Sequence, residues 1–381
     1  MGIKESYTEQ ELIYLGIERM VLMRRLLSLL LATVIVFAMS TSAFATGFTT
    51  ASNMDIYAKQ VLEKYVIEIH PEVVNAYISN PITVYNINEN ASHTVYFALS
   101  DTDVLGILSV SLYEGQYISS YAHNVSECIK NAYKNQTSIS LIVSGEKTCV
   151  KIGNTVYKAF GNNKIVTIPA INARNLNSSI IQPKEVLSLA SSRAMNLLFH
   201  RYLNVQHVAN SGPKCWAACV AMVVNYLNGV NLSTEDVYNT CVEAYKNIDT
   251  ELPIGTMKWY ERAFELYGWT ASSTITNPSL TANQIYGSLF NNKPIIFDMQ
   301  RIVTGTSAND PVHAMVLFGI TGYIDTSTFQ NSAFYYVYEP NDDTVISLYT
   351  DDNVFHNGNN LVVPVASGYV YTIWYRTTLV L

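Results

Sequence analysis

The chain is short of the residues that would make it a disulfide scaffold or a nucleic-acid binder. Only five of its 381 residues are Cys, too few to staple a chain of this length, and five cannot all pair within one chain. Lys and Arg number 23 against 30 Asp and Glu, and no basic stripe interrupts that net charge of −7. A nucleic-acid surface is therefore excluded. Charged residues make up only 14% and hydrophobic ones 49%, which rules out extended disorder. No CxxC, HExxH or EF-hand loop occurs, so neither a metal site nor another cofactor is motivated.

Long apolar runs are missing too. The most prominent, Leu26 to Ala38 (LLSLLLATVIVFA), has 13 residues, short of the roughly 20 that a membrane-spanning helix needs. It follows Arg24-Arg25 and precedes Ala43-Phe44-Ala45. A basic start, an apolar core and a small-x-small site describe a secretory signal peptide, with cleavage expected after Ala45. Residues 1–45 are then an N-terminal extension and signal peptide, Met23 being an ordinary start for the signal. The mature protein is expected to be secreted, extracellular and free of the membrane after cleavage.

The rest divides by texture. Residues 53–79 carry Ile56, Val61, Tyr65 and Ile69 at helical spacing, with Pro71 as a breaker. Alternating segments at 82–87, 94–99 and 104–112 predict strands. Residues 117–134 predict a helix, and 138–143, 149–152 and 155–159 a further strand cluster. Residues 46–165 thus form a small α+β domain. The stretch 166–186 is rich in Asn, Ser and Pro and reads as a linker. A short helix is expected over 187–202, with Arg193 and Arg201 open to an endoprotease, so 166–202 is a linker and activation segment. Residues 203–381 begin with helices (215–227, 234–246, 257–267, 282–291). Strands follow at 294–299, 313–320, 334–338, 345–349 and 368–377. Helices followed by strands make an α+β order.

Three local patterns carry chemistry. In the first, Gly212-Pro213-Lys214 leads Cys215 to the start of an apolar helix. The positive end of a helix favours a thiolate, the reactive form of Cys. Cys219, one turn on, has the spacing of a core residue. In the second, Asp310-Pro311-Val312-His313 places His313 at the mouth of an apolar strand. In the third, a strand closes on Glu339-Pro340-Asn341, where Glu339 or Asn341 is able to accept an imidazole N–H and orient the ring. His207 reads as solvated rim, Asp298 and Asp310 as turn or loop residues, and His356 as a loop residue.

Taken together, Cys215, His313 and Glu339 run in the order Cys, His, carboxylate. The motifs Cys215-Trp216-Ala217-Ala218, His313-Ala314-Met315-Val316 and Glu339-Pro340 resemble those of papain-like cysteine peptidases, especially the secreted bacterial branch near staphopain and the C39-like peptidases. The resemblance spans about residues 203–350. It implies a papain-like domain, with Cys215 as nucleophile, His313 as general base and acid, and Gln206 as oxyanion donor. It implies Glu339 as the third member, with Asn341 the alternative. This sequence has nine residues' separation between Gln206 and Cys215, and Glu stands where the family usually has Asp or Asn.

The function so implied is a secreted cysteine endopeptidase made as a zymogen, acting on protein or peptide substrates, with its own pro-domain at 46–165 as intramolecular inhibitor. Transglutaminase-like or amidase acyl transfer on the same triad is the alternative, and a non-catalytic secreted binding protein is a third. With Cys215 as the odd thiol, Cys128–Cys149 and Cys219–Cys241 are the pairings that keep the two domains separable.

Overall fold

The computed structural model describes residues 53–87, 91–113, 115–144, 147–162, 164–167, 176–189, 195–210, 212–245, 257–274, 280–302, 312–325, 330–342, 344–350, 363–364 and 370–381. The signal-peptide segment 1–45, Arg193, Asp310 and His356 lie outside these residues. Tyr57–Leu381 form one compact unit.

The front of this unit opens with helix α1 over 53–69, which ends before Pro71. Ala58, Val61, Leu62, Tyr65 and Val66 recur every three or four residues and are buried as one face. Strands β1 (Ala76–Ser79), β2 (Ile82–Asn86), β3 (Ala91–Ser100), β4 (Val104–Tyr113) and β5 (Gln116–Ala122) follow, then helix α2 (Glu127–Lys134). Next come β6 (Ser140–Ser144), β7 (Lys147–Ile152), β8 (Thr155–Lys158) and β9 (Pro183–Val186). β3 pairs antiparallel with β1, β2 and β4, and β4 with β5. β2 reaches β6 in parallel, and β6–β7–β8 is a meander. Cys128, Ile129, Ala132 and Tyr133 of α2 close the core over Phe97, Leu141, Val150 and Phe160.

The C-terminal half contains β10 (Met195–Tyr202), α3 (Cys215–Asn228), α4 (Thr234–Tyr245), α5 (Met257–Leu266), β11 (Ala271–Thr274) and α6 (Ala282–Phe290). It ends with β12 (Ile295–Ile302), β13 (Val312–Asp325), β14 (Asn331–Glu339), β15 (Thr344–Thr350), β16 (Val363–Pro364) and β17 (Val370–Val380). Its sheet runs β11–β17–β12–β13–β14–β15, all antiparallel. β10 joins the far end of β13. α3 packs against β13, α4 and α5. Helices on an antiparallel sheet make the half α+β, as its pattern implies. The same sheet continues into the front half, because β15 pairs with β5 through Ile346 opposite Ala122.

Four expectations need correction. Residues 117–134 are not one helix. Gly115, at φ +80, turns the chain so that Tyr113 pairs with Gln116 and β5 folds back on β4. Only Glu127–Lys134 is helical. Residues 195–202 are strand β10 and not part of a short helix, because they pair with β13. Its Arg201 donates to the Leu289 carbonyl and to Asn292, so it is tied into the structure. Within the segment 166–186, β9 pairs with β1 and so belongs to the front sheet. Finally, none of the five cysteines is in a disulfide, which overturns the Cys128–Cys149 and Cys219–Cys241 pairings. Cys128 and Cys149 sit on α2 and β7, Cys219 and Cys241 on α3 and α4, each as an apolar core side chain. Burial pushes Cys149 and Cys241 up to about 12 and Cys219 well above the usual thiol value, which makes all three inert.

Among the described residues, no helix is long and apolar enough to cross a membrane.

Candidate active site

Cys215 is the first residue of α3 and only half-buried, whereas every residue from Trp216 to Asn225 is buried. The local sequence accounts for this contrast. Gly212 adopts φ +83, a backbone that side chains rarely tolerate, and its carbonyl accepts the Lys214 N–H at 2.8 Å. This tight turn delivers the chain to the helix. Lys214, the N-cap residue, is fixed by Glu235 (2.7 Å) and lies over the Tyr238 ring. Its carbonyl accepts the N–H groups of Ala217 and Ala218. The Cys215 N–H lies in the first turn, where no intrahelical acceptor exists. Behind it, the apolar helix is the rigid wall of the site.

The opposite wall is sheet. His313, near the start of β13, is 3% exposed, and Glu339, the last residue of β14, is equally buried at 3%. Val316 opposite Tyr338 is the pair of β13 and β14 nearest this end, so the two side chains converge just beyond it. His313 Nε2 stands 2.9 Å from Glu339 Oε1 and 2.8 Å from Oε2. Burial alone would lower the His313 pKa. The Glu339 charge and a hydrogen bond with Cys215 overcome it and raise the value well above the usual one. Since Nε2 faces the carboxylate, Nδ1 is the ring nitrogen turned to Cys215.

Glu339 is itself held. The Asn341 backbone N–H donates to Oε1 at 2.7 Å. The Asn341 side chain points elsewhere, accepting from Asn210 Nδ2 at 2.6 Å, so Glu339 rather than Asn341 is the residue against the imidazole. Asn210 also donates its backbone N–H to the Pro340 carbonyl at 2.9 Å. His207 Nε2 lies 3.4 Å from the Glu339 carbonyl oxygen, and its ring sits beside Tyr338. His207 is thus half-buried against the strand end rather than solvated.

The structure does not bring Gln206 into this cluster. Leu203 and Val205 alternate inward, which turns Asn204 and Gln206 outward, and the Gln206 amide donates to Asn204 Oδ1 at 3.1 Å. Asp298 is no turn residue. It is buried in β12 beside Ala314 and accepts the Tyr260 hydroxyl at 2.7 Å. Among the described residues no group of His, Cys, Asp and Glu is arranged to hold a metal ion.

Two residues of the cluster escape sequence reasoning. Asn210 looks like one more polar loop residue, and Asp342 like part of an ordinary turn. Only their burial, at 9% and 6% exposure, separates them from solvated neighbours.

A half-exposed thiol at a helix N-terminus, facing a buried His oriented by a carboxylate, is equipped for nucleophilic acyl transfer. The family model described as papain-like cysteine protease AvrRpt2 matches residues 199–343, a span that contains Cys215, His313 and Glu339. The matching description does not name the staphopain-like or C39-like branch. No curated protein matches the chain.

Proposed function

From the match of residues 199–343 to the papain-like cysteine protease model, we propose that the chain is a secreted cysteine endopeptidase working through Cys215, His313 and Glu339. The observation that carries this triad is the buried contact of both Glu339 oxygens with His313 Nε2. It fixes the ring and favours its protonated form, so the Cys215 proton moves to Nδ1 and leaves a thiolate. The thiolate attacks the carbonyl carbon of a peptide bond. Negative charge gathers on the carbonyl oxygen, where the Cys215 N–H and the end of α3 receive it. His313 then gives its proton to the departing amine, which leaves an acyl thioester. Water, deprotonated by His313, hydrolyses the thioester and restores the thiol. The oxyanion role of Gln206 requires its amide to leave Asn204 when substrate binds.

The leader at 1–45 carries the chain out of the cell in this reading, and the front segment accompanies the peptidase as its pro-domain. Edman sequencing of the active secreted protein tests that part: residue 46 still joined to the enzyme would end the zymogen reading. For the chemistry, wild type and Cys215→Ala are compared on an unfolded protein substrate, with a thiol-directed epoxide as titrant. Hydrolysis by wild type alone, with one thiol labelled per chain, supports the peptidase. Amine incorporation without hydrolysis would point to a transglutaminase instead, and an unlabelled Cys215 to a binding protein.

A further inference from the structure

The turn that carries Glu339 is gripped from two sides. On one side the strand of chain leading to Cys215 holds it, through Asn210 on the Pro340 carbonyl and the Asn341 side chain. On the other side the grip comes from the front half, nearly two hundred residues away. Asp342 is buried, and its Oδ1 accepts the Thr148 N–H at 2.6 Å while its Oδ2 accepts the Thr148 hydroxyl at 2.7 Å. Thr148 lies in β7 opposite Val143, and its carbonyl accepts the Ala159 N–H, so it is itself rigidly framed. Asp342 is the third residue after Glu339, and between them the Asn341 N–H bonds the very oxygen that faces His313.

Resting on the triad reading above, we propose that Asp342 and Thr148 are positioning residues through which the front half holds Glu339, and so His313, in the productive geometry. The front half is then a permanent part of the active enzyme, so this proposal shares the triad reading but stands against removal of residues 46–165 as a pro-domain. The expense of the contact agrees. Burial, then the Glu339 charge, pushes the Asp342 carboxyl up to about 7, against the pull of the Thr148 donors and of Lys158. A carboxyl buried at such cost is kept for the bonds it makes. The wider seam points the same way. Thr344 donates to the His123 carbonyl at 2.7 Å, the Tyr349 N–H donates to the Tyr65 hydroxyl at 2.9 Å, and Glu68 accepts from the Tyr323 and Tyr336 hydroxyls.

The test compares Asp342→Ala, Asp342→Asn and Thr148→Val with wild type in the full secreted chain, reading kcat, KM and the pH profile of Cys215 alkylation. Misplacing a catalytic group by about an ångström costs on the order of 100-fold, so Asp342→Ala is expected to lose roughly 10- to 100-fold in kcat with KM unchanged. Its alkylation profile should shift toward that of a free thiol. Asp342→Asn, which keeps an acceptor for the Thr148 N–H, should recover most of the loss. Thr148→Val changes only the front half and should lower kcat in the same sense. It decides the matter alone if Asp342→Ala does not fold. Wild-type kcat and alkylation in both Asp342→Ala and Thr148→Val would overturn the coupling and leave the peptidase standing. A wild type with no Cys215-dependent hydrolysis either as the full chain or after removal of the front half would overturn both, whereas hydrolysis only after that removal would overturn the coupling and leave the peptidase standing.

Discussion

The helical wall of the site and its sheet wall are built on different principles. Cys215 is placed by its immediate neighbours: a glycine turn, an N-cap and the end of an apolar helix that is buried from Trp216 to Asn225. His313 and Glu339 are placed by partners distant in sequence. Glu339 sits 26 residues from His313, and its turn is tied to Asn210 and Thr148, 131 and 194 residues from their partners Asn341 and Asp342. The proposed nucleophile is thus a local product, whereas the carboxylate proposed to orient its partner depends on the whole unit. Damage to the first should remove chemistry and leave the fold, while damage to the second should spread between activity, pH response and stability.

The largest expected effect breaks the local wall. Cys215→Ala removes the nucleophile from a half-exposed position, and hydrolysis should fall by roughly 10⁴- to 10⁶-fold. The melting temperature should hardly move. A large drop in melting temperature would mean that Cys215 is also a packing residue.

Glu339→Gln probes the sheet wall and ranks second. It keeps the shape but removes the charge that raises His313. A comparable change in a serine triad costs about 10⁴-fold, which sets the upper end here. The pH response gives the sign. His313 has a folded value above the usual one, so the protonated ring persists to higher pH in the wild type. The charged pair contributes stability that is full below about pH 6.5 and fades as pH rises through the folded value. Without Glu339 the folded value falls, so the alkaline limb of Cys215 alkylation should move to lower pH. An unmoved limb would show that Glu339 does not set the imidazole charge.

A third change tests the seam between the halves without touching the site. Tyr65→Phe deletes the hydroxyl that accepts the Tyr349 N–H and donates to the Ser119 carbonyl. Leaving that N–H unpaired should cost about 1–3 kcal/mol in urea unfolding. Cooperative loss of both halves in one transition is the expected form, because β5 and β15 share a sheet. Two separate transitions would break the comparison, by showing that the halves unfold independently.

The smallest effect belongs to a purely local feature. Thr281 caps α6 in a reciprocal arrangement with Gln284. Thr281→Ala should cost about 0.5–2 kcal/mol and leave kcat unchanged.

Much of the fold is legible in the sequence for the same reason that the helical wall is. Helices α3 to α6 lie where the sequence places them, and at the start of α4 Ser233 and Asp236 cap each other. The strands around His313 and Glu339 follow from apolar runs that end in turn residues. One failure is local, the Gly115 turn that makes 117–122 a strand, and in the others a distant partner decides. Met195–Tyr202 falls in the stretch expected as a short helix but extends along β13. Gln206 lies in the right stretch of chain, but inward Leu203 and Val205 turn it to solvent. The cysteine parity that suggests two disulfides gives way to five cysteines in no disulfide, four of them packed as core.

What the sequence determines alone is the cysteine at its helix mouth and the order of chemistry-bearing residues, because helix starts, turns and alternation are set by near neighbours. What only the tertiary structure decides is the choice of Glu339 over Asn341, the burial of Asn210 and Asp342, and the tie from Thr148 to the catalytic turn. Each of these depends on which polar groups are left to satisfy one another once water is excluded, and that pairing exists only after the two halves have closed on a common sheet.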